Sequence, residues 1–366
     1  MASTKWEGTI RLASVTGRLG LDRVIGTSEP SVPLLSTAQA ELAAQTRAAV
    51  DVARLRAIVT ALRGPRSHVN APDGMARAEG YLTEELESSG WHVERRPFTL
   101  DHVLALADVP LHREETVYPR LEGSNLIAVR RAPSPDAVVV VAHHDTVPGT
   151  AGADDNASGL AVLLEVARLL PPMTRQTVVL AVPDFEEIGL LGSRVMVERH
   201  LDRWDVRGAI VMDAVGFRSL ERGPQGRPRG IDALYPGQLR RVDERAAGDW
   251  LAVLYRRRSR RLAAAFTAWL HGCAPANDAV MVRDPADLPL TGRAFRRIPA
   301  ARDFGRSDHV SFWNAGLPAI MLSDMAPWRN PNYHRPSDTP DTLDYDFLAD
   351  VAAAVTLTAM TLSTAR

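Results

Sequence analysis

Residues 138–159 read VVVVAHHDTVPGTAGADDNASG, and they restrict the fold more than any other stretch. Four consecutive valines suit a strand buried on both faces, the kind found in parallel sheets covered by helices. Such a strand tolerates no charge along its length. Yet it ends on His143, His144 and Asp145, and Asp154 and Asp155 follow within ten residues. Carboxylates gathered at the end of a buried strand need either solvent or a cation.

The same design repeats. SNLIAVRR (124–131), QTVVLAVPD (176–184), RGAIVMDA (207–214) and LPAIMLSD (317–324) are short β-branched runs, and helical patterns such as ASGLAVLLEVARLL and GLLGSRVMVERHL fill two of the intervals. WHVERRPFTL alternates like an edge strand after the helical DGMARAEGYLTEELESSG, and DTLDYDFLADVAAAVTLTAMTL reads as a long closing helix. This alternation predicts an α/β chain, a three-layer αβα sandwich around a mixed, largely parallel sheet. Residues 1–48 carry scattered Gly, Pro, Ser and Thr and read as an N-terminal extension, with one catalytic domain over 49–366. The Ala-rich run TAQAELAAQTRAAVDVARLRAIVTAL is helix-forming throughout.

Residues 218–305 break the rhythm. Between Arg218 and Arg261 there are twelve arginines against five acids. Solvated helix faces and loops are the plainest explanation of this Arg-rich insert, and a lid favouring anionic groups is the alternative. No aromatic interleaving supports nucleic-acid binding, and the formal net charge of −1 excludes a global basic excess. A single cysteine, Cys273, rules out an internal disulfide or a Cys-rich metal knuckle, so any metal must be held by histidine and carboxylate. The first residues lack a signal-peptide pattern and no later run reads as bilayer-spanning, which predicts a cytoplasmic protein with no membrane partner.

In an open α/β sheet, ligands bind beyond the carboxyl ends of the strands. The residues there are His143, His144 and Asp145, then Asp154 and Asp155, Glu186 and Glu187, Asp213, and finally Tyr333 and His334. One such residue caps a helix or meets solvent. Four strand ends carrying imidazole and carboxylate form the donor set of a borderline dication. In an extended HHD, His143 and Asp145 point the same way, so the carboxylate can orient the imidazole while His144 faces packing. Of the adjacent aspartates, Asp155 reads as the ligand and Asp154 as a cap or supporting partner. Of the adjacent glutamates, one suits a metal and the other suits taking a proton from water.

Six motifs now stand in order: AHHD, GADDNASG, FEEIGLLGS, MDAVGF, SDHVSFWNAGLPAI and NYHRPSDTPDTLD. Together they resemble the aminopeptidase-like zinc hydrolases of metallopeptidase family 28, which includes leucyl aminopeptidases, glutamate carboxypeptidases and glutaminyl cyclases. The resemblance implies the zinc-peptidase, phosphorylase/hydrolase-like fold and two zinc ions bridged by Asp155. It implies His143 and Asp213 on the first ion, Glu187 and His334 on the second, Glu186 as general base and Asp145 as orienter of His143. Tyr333 matches a donor to the tetrahedral oxyanion, and the Asp155–Asn156 bond matches a cis peptide. The expected reaction is hydrolysis of an amide in a peptide or small amide substrate, with an aminopeptidase as the default.

Three rivals differ in what they require. A glutaminyl cyclase uses one zinc, but the compact IGLLGSR after the glutamates and the YHRPSDTPDTLD ending favour the peptidases. A binding protein that lost its chemistry would lack ligands, and all positions here are filled. A specialised amidase or carboxypeptidase acting on an anionic metabolite would use arginines.

Overall fold

Among the residues described by the computed structural model (26–109, 112–223, 226–228, 231–288, 292 and 303–364), eight strands make one sheet. They are β1 (His92–Val109), β2 (His112–Arg130), β3 (Asp136–Val141), β4 (Thr177–Val182), β5 (Asp205–Met212), β6 (Trp250–Tyr255), β7 (Asp278–Arg283) and β8 (Ala319–Ser323), in the order β1-β2-β4-β3-β5-β8-β6-β7. The central β4, β3, β5 and β8 run parallel, as do β6 and β7. The β1–β2, β2–β4 and β6–β8 pairs are antiparallel, so the sheet is mixed and mostly parallel.

Period-two alternation splits the valines of β3 between two cores. Val138 and Val140 pack on one face with α1 (Thr37–Ala49), α2 (Val52–Ala61), α3 (Pro72–Ser88), α4 (Gly159–Leu169), α7 (Arg260–Cys273) and α9 (Tyr345–Thr364). Val139 and Val141 pack on the other with α6 (Pro236–Arg245) and α8 (His309–Asn314). All four are fully buried, each contributing about 1.5–3 kcal/mol by leaving water. A smaller cluster, including Phe98, Leu121, Phe185 and Ile188, lies under the β1–β2 hairpin beside the short α5 (Leu191–Val195).

Four details depart from the sequence reading. The Ala-rich run is two helices, because Asp51 caps the second through Arg54 N at 3.0 Å. The hairpin runs far beyond the expected edge strand, since β1 and β2 stay paired from His92↔Val129 to Val109↔His112. The stretch 218–305, read as an insert or lid, supplies β6, β7, α6 and α7, so much of it is sheet and covering helix. Finally, Tyr345–Thr364 is long and apolar enough to cross a membrane, contrary to the sequence reading. Here 72% of its apolar window is buried inside the molecule, against the helices and sheet named above.

Candidate metal centre

Because β4, β3, β5 and β8 are parallel neighbours, their carboxyl ends line up along one edge, and each delivers polar residues there. His143 follows β3, Glu186 and Glu187 follow β4, Asp213 follows β5, and the chain leaving β8 returns Tyr333 and His334. Asp155 enters from the turn before α4, where the Asp155–Asn156 peptide is cis. Small residues are needed here: a Cβ at Gly159 would lie 2.4 Å from Asn156 Oδ1.

The turn carrying the glutamates is wound tightly on itself. Phe185 sits at φ 51°, with its buried ring edge-on to Phe98 and His68, and Asp184 accepts hydrogen bonds from Phe185 N and Ser124 N. Asp145 then clamps the next two residues. Its Oδ1 accepts from Glu186 N and its Oδ2 from Glu187 N, both at 3.1 Å. The same carboxylate stands 3.4 Å from His143 Nδ1, and the Asp145 carbonyl is 3.2 Å from that nitrogen.

Two donor groups result, His143–Glu186–Asp213 and Asp155–Glu187–His334. Asp155 reaches both: its Oδ1 is 3.2 Å from His143 Nε2, and its Oδ2 is 3.1 Å from His334 Nε2. His143 Nε2 lies 3.9 Å from Asp213 Oδ1 and 4.0 Å from Glu186 Oε2, while His334 Nε2 lies 3.6 Å from Glu187 Oε2. A tetrahedral zinc site with ligands 2.0–2.1 Å away has edges of about 3.4 Å, so these separations surround the right size of hole. Three buried donors, His143 Nε2, Asp155 Oδ1 and Glu187 Oε1, have no hydrogen-bond partner among the described residues. The residues fit a pair of dications with nitrogen and oxygen ligands.

Electrostatics point the same way. Asp145, Asp154, Asp155, Glu186, Glu187, Asp308, Asp324 and Asp338 are all buried, against few buried cations. Burial pushes Glu186 far above the ordinary carboxyl range, with His143 opposing and Asp213, Asp308 and Asp155 reinforcing. Burial, then Asp155 and Glu186, does the same to Glu187. Asp155 is held low despite burial, by the imidazoles of His143 and His334 beside its two oxygens. His143 is raised well above the imidazole range because Glu186 and the neighbouring aspartates outweigh its desolvation. Without cations Glu186 and Glu187 would have to hold protons.

Around the donors lies a supporting layer that the sequence reading assigned only in part. Asp154 is no helix cap: it accepts from Gly216 N at 3.0 Å and Asn330 Nδ2 at 2.7 Å. Asp338 holds the amides of Asp154 and Asp155 at 2.9 and 3.3 Å. Arg66 is buried and donates to the carbonyls of Leu62, Gly64, His144 and Gly152. His144 faces away from the donors, as expected, toward Pro183 O at 2.9 Å and Glu79 at 3.6 Å. Tyr333 stacks on His334 with ring centroids 3.7 Å apart. Asp308 of the SDH motif, given no role by the sequence, is buried, and neither of its carboxylate oxygens has a hydrogen-bond partner among the described residues.

The sequence pattern of Peptidase family M28 matches residues 125–234 and 287–359, and the Escherichia coli (strain K12) protein YfbL, itself uncharacterized, is 31% identical over 306 residues, covering 80% of this chain and 81% of that one. The chain belongs to peptidase family M28. It is therefore an enzyme of the metallopeptidase class, as the six motifs implied. Among solved structures, this M28 chain resembles BSAP, a zinc aminopeptidase from Bacillus subtilis, with a TM-score of 0.57 at 15% identity over 92% of this chain and 97% of that one. It also resembles the glutaminyl cyclase of Fimbriiglobus ruber, with a TM-score of 0.54 at 18% identity over 92% and 98%. At these identities the two structures speak for a shared M28 fold alone.

Proposed function

We infer that the chain is a two-zinc aminopeptidase-type exopeptidase. The observation that carries this reading is Asp155, whose two oxygens face different donor groups at 3.2 and 3.1 Å, the arrangement a bridging carboxylate requires. His143 and Asp213 would complete one site, and Glu187 and His334 the other. Zinc suits the mixed imidazole and carboxylate donors, and it is the metal named for the Bacillus subtilis structure. When bound, the two ions supply Lewis-acid polarisation of the scissile carbonyl and acidification of the attacking water.

The protein's own groups then do the rest. Glu186, fixed through its backbone by Asp145 and exempt from the bridging role, takes the proton of the attacking water and delivers it to the leaving amine. Asp145 keeps the His143 ring oriented. Tyr333, held against His334 with its phenol pushed far above its ordinary range by burial and by Asp155, keeps its proton and serves as a neutral donor to the developing oxyanion. Complete donors in the second group, Asp155, Glu187 and His334, favour hydrolysis over the one-zinc cyclase reading.

The test combines elemental analysis with turnover. Protein supplemented with zinc should carry about two ions per chain and hydrolyse aminoacyl substrates. Glu186→Gln should keep its zinc and lose about 10²- to 10⁴-fold in kcat. One ion per chain, with cyclisation of N-terminal glutamine and no hydrolysis, would replace this reading with the cyclase.

A further inference from the structure

Two cavities open on the metal centre, one lined mainly by apolar residues and the other mainly by polar ones, with Arg306 in the wall of both. One is a narrow apolar recess of about 60 Å³ beside Asp213 and Tyr333, walled by residues such as Leu254, Phe304, Met321 and Trp328. Counting roughly 15 Å³ per water position, it has room for about four heavy atoms, the size of a branched aliphatic side chain. The other is a polar cavity of about 550 Å³ that also touches Tyr333, reaches His334 and is bounded by the end of the β1–β2 hairpin.

The larger cavity is cationic. Arg113, Arg306, Arg329 and Arg335 line it, and Asp108 is the one acid in its described lining. Arg329 is committed elsewhere, to the carbonyls of Trp250 and Gly248. Arg113 is held by Asp108 at 2.9 Å. Arg306 has only loose partners, Asp303 at 3.7 Å and Asp108 at 4.0 Å. Arg335 follows His334 directly, is exposed, and forms no ion pair among the described residues. Asp108 balances Arg113, which leaves the loosely paired Arg306 and the unpaired Arg335 best placed to meet an anion. A guanidinium pair recognises a carboxylate with bidentate geometry, and three arginines at the rim of one cavity concentrate that preference.

We propose that the polar cavity bounded by Arg113, Arg306 and Arg335 binds the free α-carboxylate of the departing amino acid, so that the preferred substrates are dipeptides whose first side chain is apolar. This rests on the hydrolase reading for the cleavage itself, while the carboxylate site stands on the cavity alone. An amide lying across the two donor groups would place an aliphatic side chain toward the recess and the leaving residue toward the arginines. Tyr333, Arg306, Pro327 and Trp328 line both cavities, so the two adjoin.

The probes are leucylglycine and its C-terminal amide, leucylglycinamide. Their affinities are measured by calorimetry on zinc-loaded Glu186→Gln, and their kcat/KM values on the wild type, which requires no variant to fold. The acid should bind at least about tenfold more tightly than the amide, with the kinetic difference residing in KM. Arg335→Gln and Arg113→Gln should each shrink that ratio toward unity. Equal affinities for acid and amide overturn the proposal. An acid preference that survives both arginine variants also overturns it, because the carboxylate would then be held by the metals. Selective binding of the acid with no turnover by the wild type sinks the hydrolase reading and leaves the carboxylate site standing.

Discussion

Asp145 shows how much one side chain can organise. Its carboxylate faces His143 Nδ1 and receives the amides of both Glu186 and Glu187, so a donor from each metal group depends on it. Asp145→Asn keeps the size but turns an amide NH₂ toward a backbone N–H, leaving a buried donor unsatisfied. Zinc affinity should fall by about 10- to 100-fold, read by competition against a chromophoric chelator, with little change in circular dichroism. Arg66 acts on the scaffold instead. It is buried, its pKa lowered to about 10 by desolvation, and it ties the carbonyls of His144 and Gly152 to the end of α2. Arg66→Met should cost about 3 kcal/mol of stability in urea titrations, because several buried carbonyls lose a charged donor.

At the scale of elements, the turn after β4 is the tightest part of the site. A Cβ at Gly192 would lie 1.9 Å from the Asp184 carbonyl, a backbone atom that cannot step aside. Gly192→Ala should therefore displace the loop bearing the glutamates, seen as lost soluble yield or a melting temperature lower by several degrees. The site was legible in the sequence because its residues sit just after strands that announce themselves by runs of Val, Ile and Leu. His143, Glu187 and Asp213 need only the strand ends to be found. β6 and β7 were not legible, since WLAVLY and DAVMVR are short and embedded among arginines that read as a loop-rich insert. Nor was the cationic cavity, which joins the hairpin tip at Arg113, the segment at Arg306 and the loop at Arg335 across nearly the whole chain. No local pattern connects residues that only tertiary packing brings together.

At the scale of the molecule, the buried acids set how stability responds to pH. In the metal-free protein, burial raises Asp154 to about 6, Asp308 to about 7 and Asp338 to about 8. An unfolded aspartate releases its proton near 3.9, so over this window the native state binds more protons than the unfolded chain. Stability must then fall as pH rises from about 4 to about 8. Urea titrations in chelator at pH 5 and pH 8 should show the lower midpoint at pH 8, and saturating zinc should narrow the gap. An equal or higher midpoint at pH 8 in chelator would mean that protein cations already neutralise these carboxylates. The donors also come from far apart in the chain, from His143 to His334, in a protein with a single cysteine and hence no disulfide of its own. A metal pair held by all of them would serve as a reversible cross-link, closing several long loops at once. Chelation would then expose the backbone to proteases, and a cell could clear a zinc-starved molecule while sparing a loaded one.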